Sequence, residues 1–477
     1  MSQVGRIGEL RRSSPLALLV GVAAASVGVI YGYDLSNIAG ALLFIEADFG
    51  LTAAQQEMVT TATVIGEIAG ALAAGWLANA IGRKKSMVSV ALGYAVFALL
   101  GAAATSVSML TVARLLLGVT IGVSVVVVPV FVAESAPAAA RGALLVTYGV
   151  ATVVGIIAGY LFAYLLAGAG NWRAMLGLAA VPAVLVTMLL ARIPDTARWY
   201  LLKGRVDDAY RALRRIEPNI EAAQRELAEI SRTLQEERRS GVGVLREMLR
   251  PPYLRATLFV VTLGFFIQIT GINAIVYYSP RLFEKMGFEG DFALLILPAL
   301  VQVAALAAMF VSLALIDRVG RRPILLSGIA TMVVANALLI AVFAAGPAFG
   351  DALPALKFGG VLLFTAGYTF GFGSLVWVYA GEALPARLRA MGSSAMLTSD
   401  LVANAVVAGV FLSMLTALGG AGTFAVFGVL ALLSLAFVYR YAPETKGRQL
   451  EDIRHFWENG GRWPDEQPTS AEIGAST

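Results

Sequence analysis

A chain of 477 residues has room for several soluble domains, but 58% of this one is hydrophobic and only 14% charged, against about 25% charged in soluble proteins. It has 0 cysteines and one histidine, His455, near its end; this excludes disulfides, thiol chemistry and Cys-built metal sites and leaves carboxylates to handle protons inside a membrane. The net charge of +5 is spread over loops between apolar runs and is no signal of nucleic-acid binding.

The N-terminus is short and basic (Arg6, Arg11, Arg12), and the apolar run behind it is far longer than a signal-peptide core, so it reads as a retained first span. A helix crosses a bilayer with roughly 20 apolar residues. Twelve segments qualify: 16–44, 57–79, 87–105, 111–132, 143–167, 172–192, 254–278, 292–316, 323–345, 356–380, 391–416 and 422–441. Alternate loops gather Arg83, Lys84, Lys85, Arg141, Arg318, Arg321, Arg322, Arg387 and Arg389 on one side with both termini, which the positive-inside rule makes cytoplasmic. The expected organisation is an all-α membrane protein: a six-helix bundle over 1–192, a cytoplasmic linker over 193–253, a second bundle over 254–450 and a cytoplasmic tail over 451–477. In the linker, Ile220, Ala223, Leu227, Ile230 and Leu234 recur at helical spacing and predict an amphipathic helix. After Leu450 the chain turns polar and loses its periodicity, which predicts disorder.

Two motifs occur twice. Glu134, Pro137 and Arg141 are matched by Glu382, Pro385 and Arg389, each 248 residues later, and Gly82-Arg83-Lys84 is matched by Gly320-Arg321-Arg322, 238 residues later. Each copy lies among long apolar segments, so the chain reads as two related membrane halves. Parallel halves with a cavity between them are a standard plan of secondary transporters. The sequence offers no metal-ligand cluster, no phosphate loop of Walker type and no nucleophile–base set. It predicts neither an enzyme nor an ATP-driven pump, and no metal or cofactor.

Further motifs identify a relative. Gly32-Tyr33-Asp34 lies in span 1, and Pro129-Val-Phe-Val-Ala-Glu134-Ser-Ala-Pro137-Ala-Ala-Ala-Arg141-Gly142 closes span 4. Gln268-Ile-Thr-Gly271-Ile272-Asn273, followed by Tyr277-Tyr278-Ser-Pro280, forms span 7, and Pro443-Glu444-Thr445-Lys446-Gly447 follows span 12. Pro194-Asp195-Thr196-Ala197-Arg198-Trp199 looks like a degenerate form of a family element after span 6. Over nearly its whole length the chain resembles the sugar porter branch of the major facilitator superfamily.

The resemblance implies twelve helices in two pseudo-symmetric six-helix bundles, the major facilitator fold. It implies interhelical ion pairs at the cytoplasmic face among Arg83, Glu134, Arg141, Arg321, Glu382 and Arg389, forming when that side shuts and parting when it opens. Positive-inside topology accounts for the basic residues but not for Glu134 and Glu382. The family's Asp-Arg in the first such loop is Asn79-Ala80 here, while Asp317-Arg318 stands in the second, so the N-terminal latch is expected to be the weaker.

Four ionisable residues stand well inside spans: Asp34, Glu67, Arg114 and Asp400. Such residues cost about 2.5–3.5 kcal/mol each at a helix centre and need a reason. Asp34 and Arg114 occupy the positions where proton-coupled sugar porters resemble one another; the resemblance implies a proton-controlled ion pair, and the alternative is a static pair that orients spans 1 and 4. Glu67 and Asp400 depart from the family pattern. Either fits a partner for Arg114, a second proton site or recognition of a cationic group.

Sugars offer hydroxyls and no charge, so amides that both donate and accept suit them, and aromatic faces cover their C–H surfaces. The residues matching the family's sugar site are Gln268, Asn273, Trp377 and Asn404, with Tyr277, Tyr278 and Tyr379 at hand. Two departures, Ile156 and Ile267, stand where the family has glutamines. The expected function is proton-coupled symport of a monosaccharide or polyol by alternating access, in a monomer of the cell inner membrane. A uniporter or a porter of an organic cation or carboxylic acid is the alternative carrier, and a non-transporting nutrient sensor the alternative of another class.

Overall fold

The computed structural model describes residues 15–136, 141–217, 219–240, 244–251, 253–384, 386–448, 450–461 and 463. Arg6, Arg11, Arg12, Pro137 and Pro385 lie outside these residues, as do the side chains of Arg141 and Arg387.

Lipid offers no hydrogen bonds, so apolar spans must satisfy their own backbone as helices. Span 1 is helical over Pro15–Phe49, span 2 over Ala53–Ile81, span 3 over Arg83–Ala102, span 4 over Val107–Ser135 and span 5 over Arg141–Ala167. Span 6 comprises Trp172–Leu178 and Ala180–Ala191. Span 7 is Leu254–Ile269 and Ile272–Lys285, span 8 ends with Leu297–Val319, span 9 is Arg321–Ala344, and span 10 includes Leu353–Tyr368 and Ser374–Glu382. The final helical stretch, Ala386–Tyr441, has 56 residues and turns at Gly419, whose φ is 67°. At 1.5 Å per residue a straight helix of that size would be about 84 Å long, far beyond the ~30 Å hydrocarbon layer. It is therefore spans 11 and 12 joined by a tight turn. Among the described residues, eleven continuous stretches are long and apolar enough to cross a membrane; the last holds two crossings, giving the expected twelve.

The helices overrun the apolar windows because their polar ends are satisfied locally. Span 2 starts at Ala53 through a capping box in which Thr52 Oγ1 accepts the Gln55 N–H at 3.3 Å and Gln55 Oε1 accepts the Thr52 N–H at 2.9 Å. Span 7 breaks at Gly271, whose φ of 100° only glycine adopts easily, and bends again at Tyr278, ahead of Pro280.

Packing divides the described chain into two compact units. One is drawn from Met1–Arg239, Asn273–Leu306 and Ala405–Ala417, the other from Ser240–Ile272, Ala307–Asn404 and Leu418–Thr477. In the first unit, spans 2 and 4 approach backbone to backbone. A Cβ on Gly118 would stand 2.0 Å from the Thr63 carbonyl oxygen, and one on Gly122 2.0 Å from that of Glu67. Small residues allow this approach in membranes, where close packing drives helix association. Gly118→Val is expected to lower stability by at least about 1–3 kcal/mol, seen as loss of monodisperse protein or a lower melting temperature in detergent.

The linker helices Ala197–Leu202, Val206–Leu213 and Ile220–Ser240 bury a small core of Ala197, Ala209, Ala212, Leu213 and Ala223. The amphipathic helix forms as expected, although Ile220 is 51% exposed and the buried stripe starts at Ala223. The expected disorder after Leu450 is corrected in part: Leu450–Glu458 is a helix. Its aromatics explain it. Ile453, Phe456 and Trp457 are buried, Trp457 lies 5.4 Å from Phe259 and Phe456 4.8 Å from Trp463. Three aromatic and aliphatic anchors outweigh the polar composition.

Candidate functional site

At the loop between spans 2 and 3, Arg83 is 5% exposed and forks onto Glu134. Its Nε donates to Oε2 at 3.0 Å and its Nη2 to Oε1 at 3.1 Å. Its Nη1 donates to Asn79 Oδ1 at 3.0 Å and to the Ala78 carbonyl at 3.2 Å. Thr196 Oγ1 donates to Glu134 Oε2 at 2.6 Å, and Arg198 Nε stands 3.7 Å from Oε1. A bidentate guanidinium–carboxylate pair is among the stronger polar contacts available. Asp195 Oδ1 accepts the backbone N–H groups of Arg83, Lys84 and Thr196 at 3.0, 3.3 and 2.9 Å. It thereby caps span 3, whose preceding Gly82 has a φ of 103°. Burial pushes the Asp195 carboxyl above its usual range, against the downward pull of these donors.

The second unit repeats the cap but not the latch. Glu444 accepts the N–H groups of Arg321 and Arg322, both at 3.0 Å. The Arg321 guanidinium goes instead to Asp317 Oδ1 at 3.2 Å and the Ile316 carbonyl at 3.2 Å. Among the described residues Glu382 pairs with neither Arg321 nor Arg389: its Oε2 is buried without a hydrogen-bond partner, as are Arg389 Nε and Nη2. The expectation of a weaker N-terminal latch is thus reversed. Asn79 accepts a guanidinium hydrogen bond where the family has an acid, and Thr196 and Arg198 add donors from outside the loop motif.

Inside the membrane segments, Arg114 Nη1 donates to Asp34 Oδ1 at 2.6 Å, with the two side chains 3% and 4% exposed. Span 1 and span 4 bring them together from 80 residues apart. Tyr94, which donates to the Ile30 carbonyl at 3.3 Å, packs beside them. Glu67 is 1% exposed and feels Tyr148 electrostatically. Its backbone faces Gly122, eight residues or about 12 Å of helix from Arg114.

Of the candidate substrate residues, the second unit joins two: the Gln268 side chain hydrogen-bonds Asp400, which is 6% exposed. A carboxylate only accepts, so Gln268 presents its amide N–H there. Its Oε1 is buried with no partner. Asn404 is 1% exposed one turn along, and Trp377 is 46% exposed. Tyr379 is committed elsewhere, donating to the Pro443 carbonyl at 3.0 Å. In the first unit Asn273 is half-buried and Tyr277 is buried. Tyr278 donates to the Ala408 carbonyl at 2.7 Å, bonds Thr60 and stacks on Phe411, so its hydroxyl is occupied. Ile156 and Ile267 are buried, 7% and 4% exposed.

Sequence reasoning missed two contacts of the first unit. Glu57 bonds Ser413 through both carboxylate oxygens, and Arg281 pairs with Glu46 while donating to the Leu42 carbonyl at 3.3 Å. Glu57 stood at the edge of its apolar window, and only its burial, invisible in sequence, marks it out.

Comparison with known proteins extends this picture. The profile of the family described as "Sugar (and other) transporter" matches residues 20–457. A galactose-proton symporter of Escherichia coli is 33% identical over 443 residues, covering 93% of this chain and 95% of its own. A probable polyol transporter of Arabidopsis thaliana is 34% identical over 469 residues, covering 96% and 89%. The solved structure of the major facilitator proton:xylose symporter XylE superposes with a TM-score of 0.77 at 24% identity, over 93% of this chain and 99% of that one.

Proposed function

The chain belongs to the sugar (and other) transporter family, and from that premise we propose that it moves a monosaccharide or polyol together with a proton by alternating access. It is a multi-pass membrane transporter, not an enzyme. Relatives named for galactose–proton symport and polyol transport support the substrate class.

The observation that carries the reading is the sealed Asp34–Arg114 pair at 2.6 Å. Arg114 is the cation that a buried, charged Asp34 requires, so a proton and the guanidinium are alternative partners for one carboxylate. Protonation releases Arg114 and frees spans 1 and 4 to rearrange; loss of the proton on the other side restores the pair. Glu67 is assigned to the same proton path. Gln268, Asn273 and Asn404 bind hydroxyls with amides, with Asp400, Tyr277 and Tyr278 beside them, and Trp377 covers an apolar sugar face. Arg83, Glu134, Arg141, Arg321, Glu382 and Arg389 form the gate on the basic-loop face, which with both termini lies in the cytoplasm of a cell with this protein in its inner membrane. The working halves are the bundles 1–192 and 254–450, joined by the linker 193–253 and ending in the tail 451–477, in a monomer.

Uptake of hexoses, pentoses and inositols into proteoliposomes, with and without an inward proton gradient, tests this. Accumulation of one of them only with the gradient is the expected result. Gradient-blind equilibration would make the protein a uniporter, and binding without movement would make it a sensor.

The Gln268–Asp400 contact favours a second reading in detail, a substrate carrying an ammonium group. Asp400→Asn removes the charge and keeps the shape. For a neutral sugar it is expected to change KM by less than about threefold; for an amino sugar by roughly tenfold or more, since a hydrogen bond to a charged group is worth about 1.5–3 kcal/mol. Competition by 2-amino-2-deoxyhexoses, before and after the substitution, distinguishes the two.

A further inference from the structure

A buried acid that neither the proton path nor the sugar site uses sits at the start of span 2. Glu57 is 4% exposed, and among the described residues no basic side chain pairs with it. What satisfies it is one residue of span 11. The Ser413 N–H donates to Oε1 at 2.7 Å and the Ser413 Oγ–H to Oε2 at 2.6 Å. A backbone N–H inside a helix ordinarily serves the carbonyl four residues earlier; here it meets a carboxylate from 356 residues away.

The surroundings make one layer. A Cβ on Gly409 would stand 3.2 Å from Thr61 Oγ1. Tyr278 of span 7 holds the Ala408 carbonyl and stacks on Phe411, with ring centroids 5.6 Å apart, and Tyr160 of span 5 donates to the Val276 carbonyl at 2.6 Å. All these residues belong to the first compact unit. They gather segments of both sequence halves near the loops after spans 1, 7 and 11, on the face opposite the basic loops.

We propose that the Glu57–Ser413 pair is the outer latch of the transport cycle, a gating contact that holds the external face shut. This rests on the alternating-access reading above. The chemistry suits a two-state element. A carboxylate with no cation must have donors: with the face shut, Ser413 supplies them, and with the face open, water does. The same group is satisfied in both states and in neither intermediate arrangement, so the contact is bistable rather than continuously deformable. A static packing contact would need no charge; a Glu–Ser bond at a wet rim exchanges protein donors for water donors at little net cost. Ser413 itself is exposed at that rim.

The native chain has no cysteine, which provides a clean test. Ala408→Cys places a thiol in the shut layer, where residue 408 is 0% exposed. Its modification by a membrane-impermeant maleimide added outside is timed with Glu57 intact, and in E57Q, S413A and the double variant. E57Q is expected to speed labelling on the order of tenfold and S413A a few-fold. The double variant should add little to E57Q, because the hydroxyl bond that S413A removes is one of the two that E57Q already weakens. S413T, which keeps the hydroxyl and the N–H, should label at the native rate. Labelling unchanged within about twofold in S413A, whose exposed site leaves the fold undisturbed, overturns the latch. So does additivity in the double variant. If labelling responds while no sugar moves, the transport reading fails and the latch stands; if sugar accumulates while labelling is indifferent, the reverse holds.

Discussion

Asp34→Asn is expected to abolish gradient-driven accumulation while leaving exchange of labelled substrate across the membrane. A proton falling through about 100 mV and one pH unit supplies roughly 2.3 plus 1.4 kcal/mol, enough for a several-hundred-fold gradient of substrate; with no carboxyl to carry it, that ratio falls to about one. The variant also tests the pair's electrostatics. Replacing the carboxylate with a neutral amide leaves the Arg114 guanidinium buried and unable to shed its charge, and breaking a buried pair this way costs about 3–5 kcal/mol. Arg114→Leu leaves a carboxyl that takes up a proton and becomes neutral, so its melting temperature is expected to fall less. The double variant should melt above Asp34→Asn alone. Unchanged accumulation in Asp34→Asn would reduce the pair to a strut between spans 1 and 4.

That pair was legible because the family resemblance sets an acid in span 1 against an arginine in span 4; charge alone left Glu67 and Asp400 as rival partners for Arg114. Hydropathy gave the twelve crossings. The helix ends were not legible. Caps such as Thr52–Gln55 carry helices past their apolar windows, and Glu57 was hidden there. The disposition of hydroxyls was not legible either. Tyr278 and Tyr379 match a sugar-contact vocabulary, yet the structure spends both on backbone carbonyls, of Ala408 and Pro443. The helix at Leu450–Glu458 escaped because composition averages over a segment, while its order comes from a few aromatics meeting Phe259 and Trp463. Local pattern fixes elements; long-range partners decide which polar groups remain available.

The same lesson decides the gate. Counting loop motifs made the N-terminal copy weaker, because it lacks the acid that Asp317 provides in the other. The structure reverses this through residues outside the motif, and the reversal has a measurable consequence. Glu134 draws two donors from Arg83, the Thr196 hydroxyl and the more distant Arg198. Glu134→Gln keeps one acceptor oxygen and turns an amide N–H toward Arg83 or Thr196. At 13% side-chain exposure the loss is screened only in part, and a net cost of about 2 kcal/mol is expected. This should appear as a lower melting temperature and a turnover reduced on the order of tenfold, at nearly constant KM. Glu382→Gln has no comparable partner to lose and should leave the melting temperature in place and the turnover within about twofold. Its Oε2 is buried without a hydrogen-bond partner, and an uncompensated acid gains from losing its charge. Equal damage from the two substitutions would mean that the halves carry equivalent latches and that the asymmetry belongs to one state of the cycle rather than to the sequence.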